Sequence, residues 1–424
     1  MDWDLNPWKF GFLRDSNPRE EGLVDERSLD AIYRYSSKRI AEVSLAKKRY
    51  LYDSVDWSDR LIGLKGARGT GKTTLLLQKI RESGDERKTT LYVSLDNVWL
   101  DAREVCDLAE YHGAHGGTRL VIDEIHYLAN WQALLKTLND SFPDLKVAYT
   151  GSSVLRLRAK EGDLSRRLTD YELKGMSFRE YLGFEGLCDR EPIALDDILE
   201  NHVGVAEEIV SECKVLVAFE KYFRTGYYPF YLESEARYPQ RLLQVINQVL
   251  ESDWPSVEDV SNVTVRRARK MLRILAARPP QTPKMQDLYA QLETDHKNGM
   301  KIMKALEDAE LLRFLESSGG NLKALSRTEK IYCDNPNLMY ALCPDANVGT
   351  AREAYFHNQV GMSHEVRYPK HGDFEVDGRF LFEVGGKGKS FEQIKDIPGS
   401  FLAVDGTEVG RGNRIPLWLF GFLY

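Results

Sequence analysis

The stretch that decides the fold reads Gly66-Ala67-Arg68-Gly69-Thr70-Gly71-Lys72-Thr73-Thr74, an uninterrupted G-x4-G-K-[ST] motif. It follows a short apolar run, residues 61–64, which is typical of a buried strand, and it precedes residues 74–80, which are typical of a helix. Glycines let such a loop turn its N–H groups toward phosphate oxygens, and the helix N-terminus adds partial positive charge. The alternative is an accidental glycine-rich turn, but the flanking strand and helix favour a phosphate-binding loop over residues 66–74.

A second part of the same site is predicted at the end of a later strand. Residues 119–124, Arg-Leu-Val-Ile-Asp-Glu, are an apolar run that ends in two carboxylates. Ligands bind at the carboxyl ends of strands in a parallel sheet, so both acids are expected to face the phosphates. Lys72 is expected at the β- and γ-phosphates, and Thr73 and Asp123 at Mg²⁺. Glu124 is expected to polarise the attacking water, although two acids also occur where a strand simply exits onto a solvated turn.

Two more strands are predicted, over residues 90–96 and 145–150. The later strand leads into Ser152, which is placed to sense the γ-phosphate or, alternatively, to cap a helix. Asp96, at the end of the earlier strand, is expected either to line the site or to occupy a turn. Strands that alternate with helical stretches over residues 57–175 predict an α/β fold with a parallel sheet.

Composition limits the class of protein. A chain of 424 residues exceeds what one hydrophobic core usually supports, so several units are expected. The net charge of −7 argues against indiscriminate nucleic-acid binding through a basic surface. Five scattered cysteines without a C-x-x-C pair predict reduced thiols, and neither a signal peptide nor a membrane span is recognised. These features predict a cytoplasmic protein without a membrane partner.

The order of the patterns predicts five segments along the chain. Helical spacing with a basic end marks the first, and strand signals give way to helical periodicity after residue 176. The predicted segments are an N-terminal helical segment (1–55), a P-loop ATPase core (56–175), a helical lid (176–262), a winged helix (263–345) and a small α/β domain (346–424).

Residues 264–335 predict three helices followed by two short strands, the order of a winged helix. His296, Lys297, Asn298 and Lys301 would begin the third helix, where base-contacting residues lie in DNA-binding versions of this fold. A winged helix that serves only as a protein scaffold is the alternative, because acidic Glu293 and Asp295 are adjacent.

Three further segments have local patterns that predict how they pack or turn. Residues 221–230 are dense in aromatic side chains around a Gly and a Pro, which is more typical of a packed turn than of a binding platform. Residues 374–384 predict a hairpin that turns at Asp377-Gly378. The segment 415–424 is very apolar, and it is expected to pack its last strand into a sheet or against a partner.

In sequence the chain resembles bacterial and archaeal P-loop ATPases of the AAA+/STAND type whose C-terminal domain is similar to a restriction endonuclease. The resemblance rests on residues 66–74, 120–126 and 149–153, on the segments 164–173 and 177–182, and on the C-terminal segments 335–340 and 382–387. It implies ATP and Mg²⁺ as cofactors.

The resemblance also implies roles for an arginine and for three acids. Arg167 stands where the family has an arginine finger or sensor, but Arg166 replaces the preceding Gly, so either arginine is a candidate; surface pairing with acids such as Asp163 is the alternative. Glu353, Asp373 and Glu383 stand where nucleases of that fold bind Mg²⁺, and they would form a second metal site in this chain. The expected Lys position is Gly385, and Lys387 is displaced by two residues, which favours a degenerate domain over a catalytic one.

These expectations lead to one preferred function and two alternatives. The preferred function is an ATP-hydrolysing switch or weak motor in which the lid transmits nucleotide state to the C-terminal region. The alternatives are an ATP-dependent DNA-processing enzyme with metal-dependent nuclease activity and a nucleotide-gated adaptor with little turnover. Expected partners are the nucleotide, DNA at the winged helix, another protein, or further copies of the chain.

Overall fold

The structure is a computed structural model that describes residues 26–96, 100–153, 167–278, 285–317 and 328–424. Predictions that involve residues 1–25, Asp163, Arg166 or the 318–321 turn therefore lie outside the described residues. Within these ranges the chain begins with a helix and continues into a parallel sheet. The elements up to residue 172 are α1 (Glu26–Glu42), β1 (Leu61–Gly66), α2 (Lys72–Glu82), β2 (Thr90–Ser94), α3 (Ala102–Ala114), β3 (Arg119–Asp123), α4 (Trp131–Ser141), β4 (Lys146–Ser152) and β5 (Thr169–Glu172).

The described strands of this region form one parallel sheet in the order β2-β3-β4-β1-β5. Every residue of β2 and β3 is buried, as expected for strands covered by helices on both faces. The predicted α/β fold and its first four strands are confirmed. The sequence analysis did not identify β5, a short and only partly buried edge strand.

The N-terminal region departs from its prediction. Helix α1 forms, but the basic stretch around residues 46–49 is not helical. Arg49 is buried and donates hydrogen bonds to Glu180 and to carbonyl oxygens of the phosphate loop and of residue 174. These side-chain bonds hold the segment in an irregular path, so local helix spacing did not decide its structure.

The region after the sheet is helical, as predicted for a lid. Its helices are α5 (Phe178–Glu185), α6 (Leu195–Glu212), α7 (Val215–Thr225), α8 (Tyr238–Gln248) and α9 (Trp254–Val257). A π-helical turn, Val249–Asp253, joins α8 to α9. The aromatic segment 221–230 is packed, with Tyr222, Tyr227 and Tyr228 buried, which confirms the prediction of a packed turn.

Residues 262–333 contain helices and a two-stranded antiparallel sheet in the predicted order. They are α10 (Asn262–Ala277), α11 (Met285–Gln291), α12 (His296–Asp308), β6 (Leu312–Glu316) and β7 (Thr328–Cys333). The helix and strand assignments are confirmed, whereas the winged-helix identity stays a prediction.

The C-terminal region is built around a mixed sheet in the order β12-β11-β10-β9-β8. Its elements are α13 (Pro336–Leu342), α14 (Val348–Val360), β8 (Val366–Arg367), β9 (Phe374–Val376), β10 (Phe380–Gly385), β11 (Ser400–Val404) and β12 (Arg414–Pro416). The predicted hairpin joins β9 to β10, with φ values of 54° at Asp377 and 63° at Gly378. Only residues 414–416 form the last strand, and a buried 3-10 helix, Leu417–Phe422, follows it.

The main apolar core runs without interruption from one face of the parallel sheet through the lid to the C-terminal sheet. A smaller core covers the opposite face of the parallel sheet, against α2. The predicted segment boundaries at residues 176, 263 and 346 are therefore not marked by separate cores. A displacement of the lid would act directly on the packing of the C-terminal region.

Candidate active site at the phosphate loop

The phosphate loop connects β1 to α2 through backbone conformations that favour glycine. Gly69 has φ 89°, and Gly71, at the N-cap of α2, has φ 97°. A side chain at Gly69 would also meet the ring of Phe230, since a Cβ there would lie 2.9 Å from its Cε1 atom. The loop therefore has the tight curvature that directs backbone N–H groups at an anion, and the lid turn 228–230 packs against it.

Lys72 is buried at the start of α2, in the predicted position. Its Nζ donates hydrogen bonds of 2.9 Å to the carbonyl oxygens of Gly66 and Ala67. Burial lowers the pKa of Lys72, and the nearby carboxylates of Glu124 and Asp123 oppose that effect. The ammonium group is thus folded back onto its own loop, where phosphate oxygens can replace the two carbonyls as partners.

Asp123 and Thr73 lie next to each other, as predicted for the two protein groups near Mg²⁺. The Thr73 hydroxyl is 3.0 and 2.9 Å from the two Asp123 carboxylate oxygens, and Tyr92 donates a hydrogen bond of 2.7 Å to Asp123 Oδ2. Burial and the neighbouring Glu124 raise the pKa of Asp123 to about 6. Hydroxyl and carboxylate oxygens are hard ligands that suit Mg²⁺, which usually takes few protein ligands alongside waters and phosphates.

Glu124 follows β3 in a strained left-handed conformation, with φ 56°. Thr150, on the neighbouring strand β4, accepts a hydrogen bond of 2.8 Å from the Glu124 backbone N–H and donates one from its hydroxyl to Asp123. A non-glycine residue with positive φ costs on the order of 1 kcal/mol or more, and such strain is concentrated at functional sites. The strain directs Glu124 away from the strand and toward the phosphate loop, where Arg68 lies 3.6 Å from its carboxylate.

An ionic cluster that the sequence analysis missed connects the loop to the lid. Arg68 Nη1 lies 3.0 and 3.2 Å from the carboxylate oxygens of Asp253, the last residue of the π-helical turn. His126 lies between the two acids, 3.3 Å from Glu124 and 3.6 Å from Asp253. Burial opposes the ionisation of Asp253, but His126 and the Arg68 guanidinium outweigh it and lower its pKa. No short motif surrounds Asp253, so spacing alone could not have identified it.

Two sequence candidates beside the loop have different surroundings. Ser152 ends β4 next to Gly66, and within the part of the chain that the structure describes its buried hydroxyl has no hydrogen-bond partner. An unsatisfied buried hydroxyl is a suitable donor for a phosphate oxygen, so the sensor role stays a prediction. Asp96 is exposed and accepts a hydrogen bond from Ser94, which favours its interpretation as a turn residue.

Arg49, also missed, joins three parts of the molecule. Its guanidinium bonds to both carboxylate oxygens of Glu180 in α5, and it also donates to the Thr70 carbonyl in the phosphate loop. Both side chains of this ion pair are about 5% exposed. Glu180 also completes the capping box of α5 with Ser177, so one carboxylate fixes a helix end and an arginine at once.

The comparisons agree with this geometry over the first part of the chain. A family model described as an AAA domain matches residues 58–182, and one described as a domain of unknown function (DUF8612) matches residues 217–349. No curated protein is similar to the chain at a significant level. The AAA match supports a P-loop AAA+ ATPase domain over residues 58–182.

Solved structures similar to the chain include several AAA+ proteins. AMPPCP-bound DnaA from Aquifex aeolicus is 17% identical, with 69% of this chain and 92% of that chain covered and a TM-score of 0.24. A katanin structure concerned with self-assembly is 18% identical, with coverages of 46% and 71% and a TM-score of 0.24. The S. cerevisiae Hsp104–ADP complex is 18% identical, with coverages of 64% and 41% and a TM-score of 0.26.

Arg167 lies at the amino-terminal end of the strands of the parallel sheet, whereas the phosphate loop lies at their carboxyl end. It precedes β5, whose register pairs Thr169 with Ile62 near the start of β1, and its Nε is 3.2 Å from Asp140. From Ile62 to Gly66 the strand rises about 13 Å. Arg167 therefore cannot act as a finger on the nucleotide of its own chain in this structure, and action on a neighbouring copy stays a prediction.

The three C-terminal acids come together, but lysines lie among them. Lys330 Nζ is 3.0 Å from Glu353 and 3.5 Å from Asp373, and Lys389 Nζ is 3.3 Å from Asp373 and 3.2 Å from Glu383. The lysine at Glu383 is thus Lys389 rather than Lys387.

The lysines bear on the predicted second metal site. Across the described ranges, no group of three or more His, Cys, Asp or Glu side chains is arranged to hold a metal ion. In this arrangement ammonium groups neutralise the acids, and the second metal site at Glu353, Asp373 and Glu383 stays a prediction. Neither family model reaches beyond residue 349, so the comparisons give no support to a nuclease-like domain.

The remaining predictions concern partners. Lys301, one of the predicted DNA-contacting residues, forms a salt bridge of 2.9 Å with Glu258, and Asn298 bonds to the helix-capping Asp295. DNA contact through α12 stays a prediction.

All five cysteines are free thiols, as predicted. Among the described helices, none combines the length and apolar character needed to cross a bilayer.

Proposed function

We propose that the chain binds and hydrolyses ATP and uses the reaction as a switch that repositions the lid and the C-terminal region. The observation that carries the proposal is the position of Glu124, adjacent to the Thr73–Asp123 pair and linked through Arg68 to Asp253 of the lid. Glu124, which would respond to the γ-phosphate, is thereby connected to the lid, which would move.

The chemistry follows from the contacts at the loop. Lys72 exchanges its two carbonyl partners for phosphate oxygens, and the backbone N–H groups of the loop complete the cradle. Thr73 and Asp123 would hold Mg²⁺, which neutralises charge on the phosphates when it is bound. Glu124 accepts a proton from the attacking water, the new bond forms to the γ-phosphorus, and ADP leaves.

The route from the site to the rest of the molecule is short. Phe230 of the lid turn packs on the loop glycine at position 69, and Arg49 joins the loop to α5 through Glu180. Helix α5 in turn packs against the C-terminal 3-10 helix, where Phe178 lies 6.1 Å from Phe422 between ring centroids. A nucleotide that shifts the loop or the lid turn therefore alters contacts that reach the end of the chain.

We prefer the switch to the nuclease alternative because neither family model reaches the C-terminal acids. Those acids contact Lys330 and Lys389, and metal-dependent nuclease activity stays a prediction. The adaptor alternative differs from the switch in binding ATP almost without turnover and in recruiting other proteins.

The test uses Glu124→Gln, which keeps the size of the side chain but removes the carboxylate. We expect ATP affinity by calorimetry to change little and phosphate release to fall about 100-fold, the usual effect of removing a general base. Glu86→Gln, at an exposed position before β2, is the matched control. Tight ATP binding without turnover in the parent protein would support the adaptor, and absence of ATP binding would overturn the proposal.

A further inference from the structure

The proposed reaction favours an arginine at the transferring phosphoryl group, and Arg167 does not reach that position within one chain. The ion cluster around Arg68 offers another arginine for this role. Phosphoryl transfer is accelerated strongly when an arginine stabilises charge on the transferring phosphoryl group. Arg167 lies next to Asp140 at the amino-terminal end of the strands, away from the phosphate loop. Arg68 belongs to the phosphate loop itself and lies 3.6 Å from Glu124, the residue expected to face the γ-phosphate.

We propose that Arg68 is the catalytic arginine of this site, that it acts within its own chain, and that Asp253 of the lid positions it. The inference rests on the proposed ATP hydrolysis. In this structure Arg68 is shared by Asp253 and Glu124. When ATP binds, the Arg68 guanidinium contacts the γ-phosphate and releases the Glu124 carboxylate to activate water.

The geometry of the guanidinium suits this role. Its contacts with Asp253 and Glu124 all use Nη1. A guanidinium has five N–H donors in a fixed plane, so the remaining donors can reach phosphate oxygens while Nη1 stays on Asp253. The Arg68 side chain is 15% exposed, so it is not sealed in the core.

Asp253 has features of a positioning residue. Its side chain is fully buried, and a buried carboxylate is costly unless a cation accompanies it. It also ends a π-helical turn, a rare conformation that is frequent at functional sites. The lid thus contributes a buried charge whose partner is a residue of the phosphate loop, so lid position and arginine position are coupled.

The experiment compares Arg68→Ala, Asp253→Asn and the double variant. We expect Arg68→Ala to retain MgATP affinity within a few-fold, to lower turnover about 1,000-fold, and to lose affinity for MgADP with aluminium fluoride, which mimics the transferring phosphoryl group. Asp253→Asn should lower turnover about 10-fold. Because Asp253 acts through Arg68, the double variant should be no slower than Arg68→Ala. Turnover per chain should not depend on protein concentration.

Arg269→Ala is the control, because Arg269 of α10 pairs with Glu251 of the same π-helical turn that ends in Asp253. It should leave turnover and aluminium fluoride binding unchanged. If Arg68→Ala keeps near-parental turnover and near-parental affinity for MgADP with aluminium fluoride, the catalytic role of Arg68 is overturned. A double variant much slower than Arg68→Ala would overturn the positioning role of Asp253. If the parent protein does not hydrolyse ATP, hydrolysis fails as a function, while aluminium fluoride affinity still decides whether Arg68 binds the phosphoryl group.

Discussion

Lys72 illustrates how a single buried charge is prepared for a ligand. Its ammonium group is held by two carbonyl oxygens of its own loop at 2.9 Å, and burial lowers its pKa. Neutral carbonyls are weaker partners for an ammonium group than phosphate oxygens are, since charge-assisted hydrogen bonds are roughly twice as strong. The side chain therefore favours a bound triphosphate over its present partners.

Replacement of Lys72 by alanine should weaken MgATP binding about 100-fold or more, because hydrogen bonds between charged groups each contribute on the order of 1.5–3 kcal/mol. Isothermal calorimetry measures the change. Lys79→Ala, on the same helix but facing Tyr52 and outside the pocket, should bind ATP like the parent. Equal affinities of the two variants would contradict the role of Lys72.

Arg167 offers a separate prediction, because it lies far from the pocket of its own chain. If copies of the chain assemble, Arg167 can reach a neighbour's nucleotide, and Arg167→Ala mixed with Glu124→Gln should then recover part of the lost turnover. Phosphate release from the mixture, with mixed assembly verified by native mass, is the measurement. Parental turnover in Arg167→Ala alone would exclude the residue from catalysis and leave that role to Arg68.

The turn between α7 and α8 connects the lid to the phosphate loop. Residues 228–230 read Tyr-Pro-Phe, and they pack on the phosphate loop at Gly69 and Gly71. The two rings of this turn stack, with centroids 5.5 Å apart. The stacked rings form a rigid contact surface. A movement of the phosphate loop therefore displaces the lid turn, because the side chains between them do not absorb it.

Gly69→Ala tests this contact. The substitution places a methyl group at a φ of 89° and 2.9 Å from the Phe230 ring, so both backbone strain and displacement of the lid turn are expected. Gly84→Ala is the matched control, since Gly84 has φ 62° but nothing within 4 Å of the added carbon. We expect Gly69→Ala to lose about 1–3 kcal/mol more unfolding free energy in urea than Gly84→Ala. Gly69→Ala should also increase hydrogen exchange in residues 228–233. If Gly69→Ala and Gly84→Ala change stability and exchange equally, the lid turn does not contact the loop in a way that matters for stability.

The continuous core determines how the molecule responds as a unit. Trp418 and Phe422 of the C-terminal 3-10 helix pack against Phe178 of α5, and all three side chains are buried. Arg179 of the same helix donates a hydrogen bond of 2.9 Å to the Tyr424 carbonyl. The AAA+ domain and the C-terminal region therefore share buried side chains of one hydrophobic core. This shared core predicts that the two regions unfold cooperatively.

Trp418→Ala should destabilise the protein by about 3–5 kcal/mol, the usual cost of truncating a large buried aromatic side chain. Hydrogen exchange should rise in residues 178–185 as well as in the C-terminal sheet. Phe401→Ala, which removes a half-buried ring of that sheet near Phe380 and Phe382, should affect the sheet alone. Exchange confined to the sheet in both variants would show that the shared core does not couple the two regions.

Short sequence patterns were sufficient wherever local chemistry specifies the structure. The phosphate loop, the strand that ends in Asp123 and Glu124, and the Asp377-Gly378 hairpin were all predicted from short patterns, because their residue types are required by backbone geometry or by phosphate binding over a few positions.

The tertiary structure decided the contacts between residues far apart in the chain. Arg68 meets Asp253, 185 positions away, and Arg49 meets Glu180, 131 positions away. Lys330 and Lys389 lie among the C-terminal acids although no spacing predicts it. These ion pairs depend on how the lid, the N-terminal segment and the C-terminal sheet pack, and a charged side chain carries no local signal of the partner that the fold brings to it.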